Sequence, residues 1–200
     1  MTSKMPAPVV LEGTHVRLEP LTLDHVPDLF DALGGDEEVW RWIPGSVPTT
    51  IELMRERAVS MLAALEAGEL TPFAVVHQGS GRAIGHTCYM DVPLFPESVE
   101  IGATCYSRAY WRSAVNTEAK LLLLGHAFDE LGFDRVQLKT DCRNERSQNA
   151  IARLGCVREG TLRHQLRRRD GSLRDTVYFS LLADEWPAAR DRLIARMAQG

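Results

Sequence analysis

The chain has 200 residues, 23 Lys and Arg against 27 Asp and Glu, a formal net charge of −4 and 44% hydrophobic residues. That length suits one domain with a real core, and the acidic balance argues against nucleic acid as a partner, since such binders carry a basic excess. No run of about 18 apolar residues exists, so no membrane span is expected, and Met1 to Pro8 reads as a tail rather than a secretion signal.

In chain order, Thr14 to Glu19 has the alternation of a strand, with Val16 and Leu18 on one face. Thr22 or Asp24 can cap a helix bearing Val26, Leu29, Phe30 and Leu33, which Gly34-Gly35 stops. Asp36 to Pro48 has two tryptophans, two prolines and no period, so it reads as a loop. Thr49 and Glu52 have capping-box spacing before a helix with Met54, Ala58, Met61 and Leu65 on one face. Phe73 to His77 and Ala83 to Asp91 form strands around the turn Gln78-Gly79-Ser80-Gly81, and Pro93 to Ser98 connects onward.

The most telling stretch follows. Val99, Ile101, Ala103 and Cys105 alternate with Glu100, Gly102, Thr104 and Tyr106, the pattern of a half-buried strand. It leads through a short irregular segment into a helix with Leu121, Leu124, Phe128 and Leu131 on one stripe. Asn116 or Thr117 can cap its start and Gly132 suits its end. A strand that feeds a helix N-terminus in this way makes an anion site, because free N–H groups and the positive end of the dipole point at one spot.

Arg135 to Asp141 is a further strand, and Asn144 can cap a helix carrying Ser147, Ala150, Ile151 and Leu154. Val157 to Arg169 and Arg174 to Leu182 flank an Asp170-Gly171 turn, a hairpin signal. A last helix starts at Asp184. This order, β-α-α-β-β-β-α-β-α-β-β-α, predicts a mixed sheet of about seven strands with helices on both faces, an α/β fold in one domain spanning residues 1–200. The four cysteines, Cys88, Cys105, Cys142 and Cys156, lack metal-ligand spacing, and the six histidines show no metal pattern. Reduced thiols, a cytoplasmic location and no metal are expected.

Four stretches together resemble the GNAT N-acetyltransferases, and within them the branch of the ribosomal-protein alanine N-acetyltransferases. They are residues 16–21 (VRLEPL), Tyr110-Trp111 with residues 116–119 (NTEA), residues 141–147 (DCRNERS), and residues 153–163 (RLGCVREGTLR). The resemblance runs from about Leu11 to about Trp186. It implies the GNAT fold and acetyl-CoA as cofactor. The cofactor pyrophosphate would lie on the backbone N–H groups of Arg112, Ser113, Ala114, Val115, Asn116 and Thr117. The pantetheine arm would lie between the strands 99–106 and 135–141, where the family's sheet splays open. Relatives usually have glycine at the positions of Arg112 and Ala114, and here neither is glycine.

Acetyl transfer to an amine needs a neutral nitrogen, an aligned thioester, donors for the oxyanion and a proton for the departing thiolate. The resemblance gives the oxyanion donors to the main chain of Thr104, Cys105 and Tyr106. Glu100, on the face opposite Val99 and Ile101, is the first candidate base. Glu159 is the second, and Asp91 and Glu97 are weaker. For the acid, the family's usual tyrosine is replaced by Ile151, which leaves Ser147, with Asn144 as a cofactor-binding amide. Trp40 and Trp42 would line the acceptor side, with Asp36, Glu37 and Glu38 there to attract a cationic amine. Arg167-Arg168-Arg169 reads as a solvated strand end. A cysteine nucleophile is disfavoured, because no histidine stands at a telling spacing. The expected function is acetyl-CoA-dependent N-acetyltransfer to a peptide N-terminus or small-molecule amine by direct transfer. The alternative is a non-catalytic acyl-CoA-binding or interaction protein on the same scaffold. Self-association as a homodimer is left open.

Overall fold

The computed structural model describes residues 3–92 and 97–198; Pro93 and the rest of the connection to Pro96 lie outside them. The strands are β1 (Leu11–Glu12), β2 (Val16–Pro20), β3 (Leu70–His77), β4 (Arg82–Met90), β5 (Ser98–Tyr106), β6 (Arg135–Asp141), β7 (Val157–Arg167) and β8 (Leu173–Leu182). They form an 8-stranded sheet in the order β1-β2-β3-β4-β5-β6-β8-β7. Every neighbouring pair is antiparallel except β5 and β6. The helices are α1 (Val26–Leu33), α2 (Glu37–Trp40), α3 (Ile51–Glu66), α4 (Ala114–Gly125), α5 (Glu145–Arg153) and α6 (Trp186–Met197). No helix among the described residues is long and apolar enough to cross a membrane.

The seven expected strands are present, and a two-residue strand joins them ahead of β2. Three local expectations shift. The segment expected as a loop after Gly35 contains the single turn α2, because the Asp36 carboxylate caps it by accepting from Glu38 and Val39 N–H. Thr50 rather than Thr49 caps α3, its hydroxyl accepting from Leu53 N–H. Helix α4 starts three residues before an Asn116 cap would place it, because Ser113 supplies the cap to Val115 N–H.

Two apolar layers cover the two faces of the sheet. Val99, Ile101, Val136, Leu138, Val177 and Phe179 point to the side where α4, α5 and α6 add Ala119, Ile151 and Trp186. On the other side α1, α2 and α3 place Leu29, Trp40 and Met54 over Ala74, Val76 and Ala83. That second layer stops at Cys105. Beyond it the same face of β5, β6 and β8 carries Glu100, Lys139, Thr176 and Tyr178, so half of one face is polar and open to chemistry.

A buried amine interrupts the apolar pattern on α4. Lys120 on α4 is buried, and its Nζ donates to Thr104 Oγ1 at 2.8 Å. It has no carboxylate partner among the described residues, and burial pushes its ammonium down to about 7. The unfolded lysine holds its proton to about 10.5, so between about 7 and 10.5 the unfolded state binds more protons and stability rises with pH. Lys120→Met removes this dependence. Urea denaturation should find the variant more stable than wild type at pH 7, with the advantage shrinking by about 2 kcal/mol by pH 9. A pH-independent difference would mean that the buried amine keeps its proton across this range, as it does in the unfolded chain.

Candidate active site

The site is built where β5 and β6 part. The two strands pair in parallel only over Ser98–Glu100 with Arg135–Gln137. Past that point β5 keeps β4 and β6 keeps β8 on their outer sides, while their inner edges diverge. The cause is a bulge. Ala103 takes a left-handed φ of +47°, and the β4–β5 register slips between His86 and Cys88. The extra residue also reverses the alternation, so Cys105 joins the α1/α3 layer and Tyr106 the α4 layer. Unpaired backbone amides along such an opening are donors and acceptors for an extended, amide-containing ligand.

Glu100 lies on the wall of this opening, on the polar face. It is only 2% exposed. Its Oε2 accepts from Gln137 Nε2 at 2.9 Å and meets Lys139 Nζ at 2.8 Å. Lys139 also reaches Asp91 Oδ2 at 3.0 Å. Burial pushes the Glu100 carboxyl above the ordinary range, the Lys139 and Gln137 contacts oppose this, and Asp91 adds to the rise. Oε1 has no hydrogen-bond partner among the described residues. Gly102 keeps the space beside it clear, since a Cβ there would stand 2.8 Å from Oε1 and 2.6 Å from Met90 Sδ. A buried carboxylate with one oxygen held and one free, and with a raised pKa, has the properties of a general base.

The segment before α4 forms the second part. Arg112 takes φ +64°, the conformation that a glycine would adopt there without strain. Ser113 Oγ donates to Tyr110 O at 2.7 Å and accepts from Val115 N–H, which fixes the turn. The first turn of α4 has no acidic residue, and helix geometry leaves its first N–H groups pointing outward. Across the opening, the Arg146 guanidinium stacks on Trp111 at 3.4 Å and feels the like charge of Arg112. Two arginines and a helix N-terminus around one turn fit a diphosphate, so the residues present suit coenzyme A despite the absent glycines.

On α5, Asn144 is the N-cap. Its Oδ1 accepts from Ser147 N–H at 3.1 Å, and its amide NH₂ has no partner among the described residues. Capping through Oδ1 therefore leaves the amide NH₂ available to a ligand. Ser147 sits half-buried in the first turn of α5. The Thr104 hydroxyl is engaged by Thr87 and Lys120, so only its backbone faces the opening.

Several expectations are corrected. Glu159 lies on the edge strand β7, bound by Arg135 through two 2.6 Å hydrogen bonds and by Ser180 Oγ. Arg135 is at the closed end of the β5–β6 pair, so Glu159 is a structural ion pair remote from the opening, and Arg135 holds its carboxyl low. Trp40 is 1% exposed, with Nε1 donating to Leu33 O and Arg57 stacked on its ring at 4.4 Å. It is core and cannot grip an acceptor, whereas Trp42 does line an open cleft. Asp36 caps α2 and pairs with Arg108, and Glu38 pairs with Arg41, so these acids are already engaged. Cys105 does have a histidine partner, His86 Nε2 at 3.1 Å. Burial pushes the thiol up to about 12 and the imidazole down to about 3, so the pair yields no nucleophilic thiolate.

Sequence reasoning missed Gln137, Lys139, Tyr178 and Arg174. All four follow from period two once β6 and β8 are known to adjoin with Lys139 opposite Tyr178. That adjacency skips β7, and no local signal encodes it. Arg168, expected in solvent, instead donates to both oxygens of the buried Asp141 at 2.6 and 2.9 Å.

A family model of the acetyltransferase (GNAT) domain matches residues 15–157. Among solved structures, a GCN5-related N-acetyltransferase from Brucella melitensis is similar over 98% of this chain and 88% of that one, with 29% identity and a TM-score of 0.90. Mycobacterium smegmatis RimJ in complex with CoA-disulfide is similar at 22% identity and a TM-score of 0.79, over 94% of this chain and 91% of that one. The ribosomal-protein-S5-alanine acetyltransferase of Vibrio fischeri has 20% identity and a TM-score of 0.70, over 89% and 98%. No curated protein matches the chain.

Proposed function

The chain belongs to the GNAT acetyltransferase family, and on that premise we propose that it is an acetyl-CoA-dependent N-acetyltransferase that acts on a primary amine by direct transfer, with Glu100 as the base. The observation that carries this reading is Glu100 itself, a buried carboxylate with one free oxygen at the mouth of two diverging strands. Bound acetyl-CoA would supply the acyl group as a thioester: the C–N bond would form as the C–S bond breaks, and the nitrogen's second proton would go to the departing thiolate, giving free CoA thiol. Glu100 Oε1 takes the proton of the acceptor ammonium, directly or through one water. Lys139 and Gln137 hold Oε2 and so orient the carboxylate. Backbone N–H groups between Thr104 and Tyr106 serve as oxyanion donors, aimed by the bulge at Ala103. Asn144 binds the amide arm, and Ser147 offers a hydroxyl at the start of α5.

The test is free-thiol release from acetyl-CoA with a panel of amines covering peptide N-termini, amino acids, polyamines and aminoglycosides. Turnover of any of these supports the reading. Saturable binding of acetyl-CoA without turnover on the whole panel favours a non-catalytic acyl-CoA-binding protein. Acetyl-CoA at a hundredfold excess over its Kd should also stabilise the fold by about 2.7 kcal/mol, raising Tm by roughly 5–10 °C. No shift at millimolar acetyl-CoA would remove it as a ligand.

A further inference from the structure

Beside the opening lies a cleft of about 260 Å³ between the α2 loop and the β7–β8 hairpin. Five arginines line it, Arg41, Arg167, Arg168, Arg169 and Arg174, against one carboxylate, Asp141. Trp42 and Leu166 supply apolar wall. The single acid is bound by Arg168 through both oxygens, and its charge also reaches Arg174 without a hydrogen bond to it. Arg41 has Glu38 at 3.4 Å, and Arg169 has Trp40 O at 3.1 Å with Glu37 at 3.8 Å. Arg167 Nη1 donates to Gly171 O at 2.6 Å, which leaves its charge uncompensated.

Arg174 is the decisive residue. It is 8% exposed, and its one hydrogen bond runs from Nε to Thr176 Oγ1 at 3.1 Å. Neither Nη group has a partner among the described residues, and the side chain lines the cleft. A largely buried side chain that keeps both terminal nitrogens unpartnered and open to the cleft presents a planar fork that matches a carboxylate. Arg174 lies on the same face of the sheet as Glu100 and within range of its charge. Four residue steps along β6, about 13 Å of strand, separate Gln137 beside Glu100 from Asp141 at the cleft. Reaching inward from the two ends of that span, the Glu100 and Arg174 side chains would bracket a ligand of amino-acid length.

We infer that the acceptor is a primary amine that also carries a carboxylate, with the amine at Glu100 and the carboxylate held by Arg174 in the arginine-lined cleft. This rests on the acetyl-transfer reading above. The carboxylate belongs either to a free amino acid or amino-carboxylate, or to an acidic residue near a peptide N-terminus. The cleft volume suits no more than that terminal segment.

The test compares matched amines that differ in one group: 4-aminobutyrate, n-butylamine and 1,4-diaminobutane, with thiol release as the readout. An alanyl-glutamyl peptide amide and its alanyl-glutaminyl counterpart form the peptide arm. The carboxylate should raise kcat/KM at least tenfold over the neutral amine in one arm or both, and the arm that responds identifies the source. Arg174→Gln should bring that ratio to near unity, and Arg174→Lys should leave it in between. Because the ratio compares two substrates on one sample, loss of folded protein cancels. Arg167→Gln, on the hairpin, gives a second reading in case Arg174→Gln does not fold, with a smaller fall in the same ratio. Neutral or cationic amines turned over as well as their carboxylate partners would overturn the subsite and leave acetyl transfer standing. If no amine releases thiol, binding of 4-aminobutyrate and of the alanyl-glutamyl peptide to acetyl-CoA-saturated protein decides. Saturable binding lost in the arginine variants keeps the subsite and removes the transfer reading; no binding overturns both.

Discussion

Glu100→Gln should lower kcat by roughly 10²-fold or more, with acetyl-CoA affinity close to wild type. Glutamine keeps the shape and can still accept from Gln137, but it cannot take a proton. Its amide also leaves Lys139 with Asp91 as its remaining anion. The pH profile separates a base from a residue that only orients the acceptor. Burial raises the Glu100 carboxyl above its ordinary value, so the ionised form is lost on acidification earlier than for an exposed glutamate. Wild-type kcat should therefore rise with pH through that raised pKa, and the variant should lack this limb. The deficit should shrink at high pH, where the amine is neutral without help. Steady-state kinetics across pH on the best acceptor found, with the melting curve of each variant alongside, would decide. Wild-type activity for Glu100→Gln at pH 7 would transfer the role to a water chain or to an acceptor whose amine is already neutral, since Glu159 is held at the far end of the strand pair.

Glu118→Ala should give the largest loss of stability, about 3–5 kcal/mol. Glu118 is on the inner side of α4 and 3% exposed. Its carboxylate accepts three backbone N–H groups, from Thr14 at 2.8 Å, His15 at 2.6 Å and Val16 at 2.7 Å. It thereby ties the β1–β2 turn to α4, whose N-terminus follows the Arg112 turn. The fit is close: a Cβ at Gly13 would stand 2.6 Å from Glu118 Cδ. Alanine leaves three donors without their partner, and the Val16 N–H among them is buried. Glu118→Gln should cost roughly half as much, because its oxygen still accepts while its NH₂ opposes a donor. Denaturant titration measures both. A loss under about 1 kcal/mol for the alanine variant would mean that the turn detaches from α4 and hydrates freely.

The sheet and its helices were legible because they rest on periods that side chains reveal. Glu100 was placed on the correct face by alternation with Val99 and Ile101. The same alternation failed five residues later. It put Cys105 with Val99, whereas the bulge at Ala103 turns Cys105 to the opposite layer. Alanine at a left-handed position gives no sequence signal, and neither does Arg112. Trp40 and Trp42 illustrate a different limit. Two residues apart in an aperiodic segment, one is core and one lines the cleft, and the difference comes from the single turn capped by Asp36. The partners of Glu100 and the arginines of the cleft depend on β6 lying beside β8 rather than β7, a pairing set by the sheet as a whole.

The turn before α4, which we propose holds the cofactor phosphates, has a thermodynamic consequence of its own. Where glycines would let this turn wander, Arg112 and Ala114 narrow the conformations that the empty turn can visit. Tyr110, Ser113 and Val115 then tie it down by hydrogen bonds. The left-handed backbone at Arg112 costs about 1–2 kcal/mol, and that cost is met when the protein folds, before any ligand arrives. A turn ordered in advance gives up little motional freedom when an anion docks. Coenzyme A association should therefore carry a smaller entropic penalty than in an Arg112→Gly protein, in which calorimetry should find a less favourable binding entropy at similar contact chemistry.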